Sequence, residues 1–276
     1  MKDAFLGGHT IALSISNSPD LAVLGLGKEH LDDAMTEIAR HLIACGATLA
    51  YGGDLREGGF TELLFEIVNR YRANKDVDRL LVSNYLAWPV HASISADQIE
   101  RWQLALAGLA RLVLLNPTGS EISLSERPAD AADMDERQWA DGLTAMRNAM
   151  ASTINARIAL GGQTAKYKGR LPGIAEEALI QINRKAPLFV LGGFGGCSFD
   201  LAHAMGIDRR DLPRSASSGT WNGIEAFRAF GPADLHNGLS PEENRLLAET
   251  VHVDQAVALI LRGLMKTSKR HRRRKR

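Results

Sequence analysis

Three Gly-Gly pairs are the residues of this sequence best suited to binding an anionic ligand. The pairs are Gly52-Gly53, Gly161-Gly162 and Gly192-Gly193, and each follows a short apolar run. Glycines at the carboxyl end of a strand let the backbone come close to a ligand, and the next helix offers free N–H groups and a positive dipole end. One pair would be weak evidence, since glycine also serves ordinary turns. Three pairs predict a crevice of nucleotide size.

The segment after the second pair adds positive charge to this crevice. It carries three cations and then begins a helix with two adjacent acids: Lys166, Lys168, Arg170, Gly173, Glu176 and Glu177. Three cations on a glycine-flanked loop above a helix N-terminus would neutralise a phosphate or pyrophosphate. The ordinary alternative is a solvated loop followed by acids that the helix dipole favours.

Further ligand contacts are predicted after two other apolar runs. Ser16 and Asn17 lie at the end of the first run and would border a ribose, because small polar groups at the carboxyl end of a strand suit such contacts. The alternative is that they only cap a turn. Tyr85 and Trp88 could stack on a base, with core packing as the alternative. The loop after the last run would form a wall facing the phosphates: Gly192, Gly193, Phe194, Gly195 and Gly196.

Cys197 and His203 suggest a nucleophile and its base, but their spacing argues against this role. They lie six residues apart in a helical pattern, which separates them by roughly 120° around the helix axis. We therefore predict that Cys197 is a small packing residue and His203 an ordinary helix side chain. No Cys-x-x-Cys or His-x-x-x-His pair is present, so neither a metal site nor a cofactor is predicted.

The apolar pattern that positions these residues alternates short strands with helices. Strands are predicted at Ile11–Ser16, Thr48–Tyr51, Arg79–Asn84, Leu112–Leu115, Ile158–Leu160 and Leu188–Leu191. Helices are predicted at Leu31–Ile43, Phe60–Tyr71, Ser95–Leu106, Asp135–Ile154, Ile174–Ile182 and Phe199–Met205, with a last helix from Pro241. Such alternation is the sequence form of a parallel sheet. We predict one doubly wound, Rossmann-like α/β domain with a mostly parallel sheet, flanking helices and a C-terminal helix.

The composition is that of a globular protein with one large domain or two small ones. Because no long linker divides the chain, we predict one domain at residues 1–266. The 276 residues are 45% hydrophobic and 24% charged. No apolar run approaches the ~20 residues that span a bilayer, and the N-terminus lacks the regions of a signal peptide. A cytoplasmic protein without a membrane partner is expected.

A basic tail ends the chain. Lys269–Arg276 carries seven Lys or Arg and no acid, and the rest of the chain has 26 basic and 32 acidic residues. Such tails can bind nucleic acid. The alternative is a disordered, solubilising end at residues 267–276, and one tail does not make nucleic acid the favoured partner.

Several of these motifs resemble those of the LOG (lysine decarboxylase-like) phosphoribohydrolases. Tyr51-Gly52-Gly53 followed by Gly58-Gly59-Phe60 resembles their first glycine motif, and Arg147-x-x-Met150 resembles their arginine-methionine helix. The strand into Gly161-Gly162 resembles the start of their Pro-Gly-Gly-x-Gly-Thr-x-x-Glu signature. Here Gln163–Pro172 is inserted before the end of the signature, Gly173–Glu177, and Ile174 replaces the threonine. The resemblance runs from Ile11 to about Gly196 and indicates the SLOG superfamily, which also includes Smf proteins and the TRPM sensor domain.

The resemblance implies two functions. LOG enzymes cleave the N-glycosidic bond of nucleoside monophosphates, so Glu176 or Glu177 would be the catalytic acid and Arg147 the phosphate-binding arginine. The insertion and the missing threonine resemble SLOG branches that sense NAD-derived or other nucleotides, some in antiviral defence. Relatives often form dimers beside the site, which makes the Asp135–Ile154 helix a candidate interface.

Our leading hypothesis is therefore binding or sensing of a nucleotide of the NAD, ADP-ribose or cyclic ADP-ribose type. The long basic insertion suits a ligand with more phosphate than a monophosphate carries. The alternative is a phosphoribohydrolase that acts through Glu176 or Glu177.

Overall fold

One seven-stranded sheet organises the chain. The structure is a computed structural model that describes residues 4–53, 59–72, 79–108, 110–127 and 134–274. The strands are β1 (Thr10–Ser16), β2 (Thr48–Gly52), β3 (Val82–Leu86), β4 (Ala110–Leu115), β5 (Glu121–Ile122), β6 (Ala156–Gly161) and β7 (Leu188–Leu191). Their spatial order is β5-β4-β3-β2-β1-β6-β7, and all neighbours are parallel except β4 and β5.

Helices lie between the strands and after β7, the last strand of the described chain. They are α1 (Lys28–Ala44), α2 (Phe60–Arg72), α3 (Trp88–Ala92), α4 (Ala96–Ala105), α5 (Glu136–Thr153), α6 (Gly173–Asn183), α7 (Gly196–Ala204), α8 (Pro241–Glu249) and α9 (Val253–Arg274). Short 3-10 helices occur at Ala22–Leu24, Leu124–Glu126, Ile224–Ala229 and Pro232–Leu235. Side-chain caps begin several of the helices, as at Asp135, whose carboxylate accepts from the Gln138 N–H at 2.7 Å.

The strand order makes the sheet doubly wound, as predicted. From β1 the chain winds outward through β2, β3 and β4, and it then returns to place β6 and β7 on the other side of β1. The switch point therefore lies between β1 and β6. In open α/β sheets, ligands bind at the carboxyl ends of the strands near this point.

The two faces of the sheet differ in their side chains. Ile11, Leu13 and Ile15 of β1 point toward α1, α2, α4 and α9, where large aliphatic residues form one core layer. The opposite face carries smaller residues such as Ala12 and Ala159, against which α5, α6 and α7 pack. Because side chains alternate along a strand, Ser14 and Arg157 lie on this second face too.

Several boundaries differ from the prediction. The third strand begins at Val82, not at Arg79, because its pairing with both neighbouring strands begins at Val82. The Arg79 guanidinium donates to the carbonyls of Ile43 and Ala47. The antiparallel β5 lies in a segment without apolar period and was not predicted. Of the loop predicted at Asp54–Gly59, only Gly59 is among the described residues.

The chain predicted as one last helix from Pro241 forms two helices, α8 and α9, because the backbone leaves the helical conformation at Thr250. Helix α9 extends to Arg274, and a disordered end at residues 267–276 stays a prediction. Lys and Arg are good helix formers, so the helix continues past its packed part. The side chains of residues 269–276 lie outside the description, and nucleic-acid binding through them stays a prediction. Among the residues described, no helix combines the length and apolar character needed to cross a bilayer.

Candidate functional site

A cavity of about 560 Å³ opens at the carboxyl ends of β1, β2 and β3. Strand residues form its floor, including Ser16, Gly52 and Tyr85. Helix α5 forms one wall with Trp139, Leu143 and Met146, and residues of α3, α4 and their connection form another. The inserted segment contributes Gln163, Lys166, Tyr167 and Lys168. The cavity thus lies beside the switch point, where the fold predicts a ligand.

The lining of this cavity is cationic and aromatic. Lys166 and Lys168 are its charged residues, and within the described part of the chain neither ammonium has a carboxylate at salt-bridge distance. Four aromatic side chains share the lining: Tyr51, Tyr85, Trp139 and Tyr167. Unpaired cations attract an anion and aromatic rings stack on a flat ring system. The arrangement suits a ligand that carries both.

The inserted segment is held against α5. The Lys168 ammonium lies 3.6 Å from the centroid of the Trp139 ring, and Arg170 pairs with Asp141 at 2.6 Å. Lys166 adopts the left-handed conformation with a φ of 56°, which costs about 1 kcal/mol for a residue other than glycine. These contacts give the segment a definite course along the rim of the cavity.

The predicted catalytic residues form a buried ion cluster. Glu176 of α6 accepts hydrogen bonds from the guanidinium of Arg147 and the hydroxyl of Thr144. Glu177 accepts from Ser14 and from Arg157, whose Nη1 is 2.5 Å away. Two arginines therefore neutralise two glutamates beneath the inserted segment.

This cluster is shielded from the cavity. A Cβ atom at Gly169 of the inserted segment would lie 2.7 Å from Nη1 of Arg147 and 3.2 Å from Oε2 of Glu176. Gly173, at the start of α6, also lies close to Arg147, since its Cβ would be 3.0 Å from Nη2. Burial lowers the pKa of Arg157, while the charge of Glu177 opposes that change. None of the four charged residues lines the cavity.

The Gly192–Gly196 loop does not form a wall of the cavity. A Cβ at Gly192 would lie 3.0 Å from the Ala248 carbonyl, and one at Gly193 would meet the Thr250 carbonyl. Phe194 is buried in the core. The end of α8 and the residue after it therefore pack against the first two glycines of this loop.

The N-terminus of α7 already holds an anion from the protein itself. The Asp20 carboxylate accepts from the Gly196 N–H at 2.7 Å, and Gly195 packs against the same side chain. Asp20 also accepts from the Ser215 N–H at 2.9 Å and pairs with Arg214 at 3.2 Å. A buried carboxylate uses the N–H that a phosphate would otherwise take.

The remaining predicted residues divide between the cavity and the packing around it. Ser16, Gly52 and Gly53 line the cavity, whereas Asn17 is exposed and lies outside its lining. Gly161 and Gly162 have φ of 66° and 105°. They allow the turn after β6 to approach α7, because the Cys197 N–H donates to the Gly162 carbonyl at 2.9 Å.

Cys197 is a packing residue, as predicted. Its thiol is fully buried, and burial raises its pKa far above the ordinary range. A thiol in this environment is not a nucleophile at neutral pH. Among the described residues, no group of three His, Cys, Asp or Glu side chains could hold a metal ion.

Sequence reasoning missed three features of the site. Trp139, Leu143 and Met146 recur at helical spacing and so share one face of α5, a signal that could have identified the aromatic wall. Arg157 is a charge within an otherwise apolar strand, which could have indicated a buried ion pair. No local signal marks Asp20.

Comparison with known families assigns most of the chain. A family model described as SLOG cluster2 matches residues 5–230. The match includes the whole sheet, the inserted segment and the ion cluster, and leaves α8 and α9 outside. None of the curated proteins matches the chain.

Proposed function

Because the chain belongs to the SLOG cluster2 family, we propose that it binds a nucleotide-derived ligand of the NAD, ADP-ribose or cyclic ADP-ribose type. The family indicates a nucleotide-related ligand. The observation that supports this more specific ligand class is the cavity beside the switch point, which is lined by two lysines and four aromatic residues. Two ammonium groups on one rim fit a diphosphate better than a single phosphate. The rings beside them offer surfaces for a base.

Calorimetry tests this proposal with a panel of NAD, ADP-ribose, cyclic ADP-ribose and AMP. We expect the compounds with two phosphates to bind more tightly than AMP, and their affinity to fall as salt rises. Failure of every compound to bind at millimolar concentration would overturn the proposal.

Substitution of Lys166 by glycine should separate ligand binding from backbone strain. Lys166 and Lys185 both have positive φ, of 56° and 53°, so glycine at either position should stabilise the fold by up to about 1 kcal/mol. Of these two residues, Lys166 lines the cavity and Lys185 does not. K166G should therefore weaken ADP-ribose binding roughly fivefold, as expected for one partly exposed charged contact, and K185G should leave it unchanged. Equal affinity of both variants would contradict a role for Lys166.

The alternative, hydrolysis of an N-glycosidic bond through Glu176 or Glu177, has less support. Both carboxylates are occupied by arginines, and the inserted segment separates them from the cavity. An acid acting on a ribosyl centre must reach the reacting atoms.

We therefore expect no release of base when the wild-type protein is incubated with AMP or NAD and the products are separated by chromatography. Release by the wild type that disappears in a folded E176Q or E177Q variant would restore the hydrolase hypothesis.

A further inference from the structure

Trp139 lines the cavity, and the side chain of Lys168 covers one face of its ring. The Lys168 ammonium lies 3.6 Å from the ring centroid, about the separation at which a flat ring would stack. Trp139 is half-buried, and its helix neighbours Leu143 and Met146 line the same wall. The ammonium thus occupies the volume that a stacked base would fill.

The other aromatic residues are less suited to stacking. Tyr51 and Tyr85 are 7% and 5% exposed, and their rings belong to the core clusters. The Tyr85 hydroxyl is also held by Thr153 at 2.9 Å. Tyr167 packs against the hydrophobic core residues beneath α6 and α7. Trp139 is the ring whose covering group is a flexible side chain.

We propose that Trp139 is the platform for the base of the ligand, and that Lys168 leaves the ring on binding to pair with the phosphates. This inference rests on the proposed function. An exposed cation–π contact is weak, so its loss costs little. The long lysine stem lets the ammonium move several ångströms while the backbone stays in place. The Lys168 side chain would then respond to both parts of the ligand. The base would displace its ammonium from the ring, and the phosphates would pair with that ammonium.

This exchange predicts that the loss of Trp139 weakens the binding of ADP-ribose but not the binding of inorganic pyrophosphate. Replacing Trp139 with leucine should weaken ADP-ribose binding about tenfold, the loss typical of one base–aromatic stack. The same variant should bind inorganic pyrophosphate with equal affinity or up to about threefold more tightly, because Lys168 no longer leaves a ring to reach the anion. W139F should lie between the wild type and W139L for ADP-ribose, since a smaller ring remains.

Calorimetry with both probes, supported by K168M and W102F, separates the outcomes. K168M should weaken the binding of both probes. W102F is the matched control, because Trp102 packs on Phe65 at 5.4 Å in the other helix layer, and its affinities should equal those of the wild type. Parallel losses for both probes in W139L, or unchanged ADP-ribose binding, would overturn the platform role alone. If the wild type binds neither probe, the proposed function fails with it.

Discussion

Replacing Arg157 with methionine should destabilise the protein by about 3–5 kcal/mol, the usual cost of removing one partner from a buried ion pair. Arg157 is 0% exposed, and its guanidinium donates to Glu177 at 2.5 Å and to Ser14 at 2.6 Å. Without it, the buried Glu177 carboxylate would keep the Ser14 hydroxyl and a more distant Arg147, whose Nε is 3.9 Å away. Urea unfolding followed by circular dichroism measures the loss.

Two further variants show whether the charge itself is responsible. The double variant R157M plus E177Q should recover part of the stability, because it leaves no unpaired charge in the interior. R228M is the surface control, since Arg228 pairs with Glu225 at 2.8 Å while remaining 68% exposed. That pair should contribute at most about 1 kcal/mol. Equal losses for R157M and R228M would show that the cluster does not hold α6 on the sheet.

Replacing Asp20 with alanine should cost about 3 kcal/mol, because several charge-assisted hydrogen bonds are lost together. The carboxylate accepts from the backbone N–H groups of Gly196 and Ser215 and from the Ser218 hydroxyl. It also compensates the charge of Arg214. Its removal should loosen the start of α7 together with residues 215–218, and hydrogen exchange should rise in both segments.

Asp234 provides the matched control for Asp20. It is a half-buried acid with one capping hydrogen bond, from the Gly231 N–H at 2.9 Å. D234A should cost about 1 kcal/mol, the usual value for a lost cap, and should leave exchange around α7 unchanged. Protection of residues 215–218 that persists in D20A would show that other contacts hold this segment.

The Asp20 arrangement also bears on where a ligand binds. An anion at the start of α7 would have to compete with a carboxylate that is already desolvated and hydrogen-bonded. Ligand phosphates are therefore expected at Lys166 and Lys168, where no internal anion of the described chain competes.

The architecture could be predicted from the sequence because local pattern encodes it. Apolar runs such as Leu188–Leu191, bounded by glycines and alternating with helical spacing, specify a parallel sheet, and the doubly wound order follows from packing rules. Part of the candidate site could also be predicted from the sequence. Ser16, Gly52 and Gly53 lie at strand ends, and such ends converge on the crevice whatever the loops do.

Only the tertiary structure decided which glycine turns line the cavity and which pack against other parts of the chain. The N–H of Gly196 is taken by an acid 176 residues earlier in the chain, and Glu177 is paired through Ser14, 163 residues away. Neither contact leaves a local signal, because a glycine turn that faces a phosphate and one that faces an internal carboxylate have the same sequence. The sequence by itself determined the fold and the presence of a glycine turn at the ends of β2, β6 and β7. Long-range packing decided which turns remain open to a ligand, since a polar group can bind a ligand only where the folded chain has not already provided its partner.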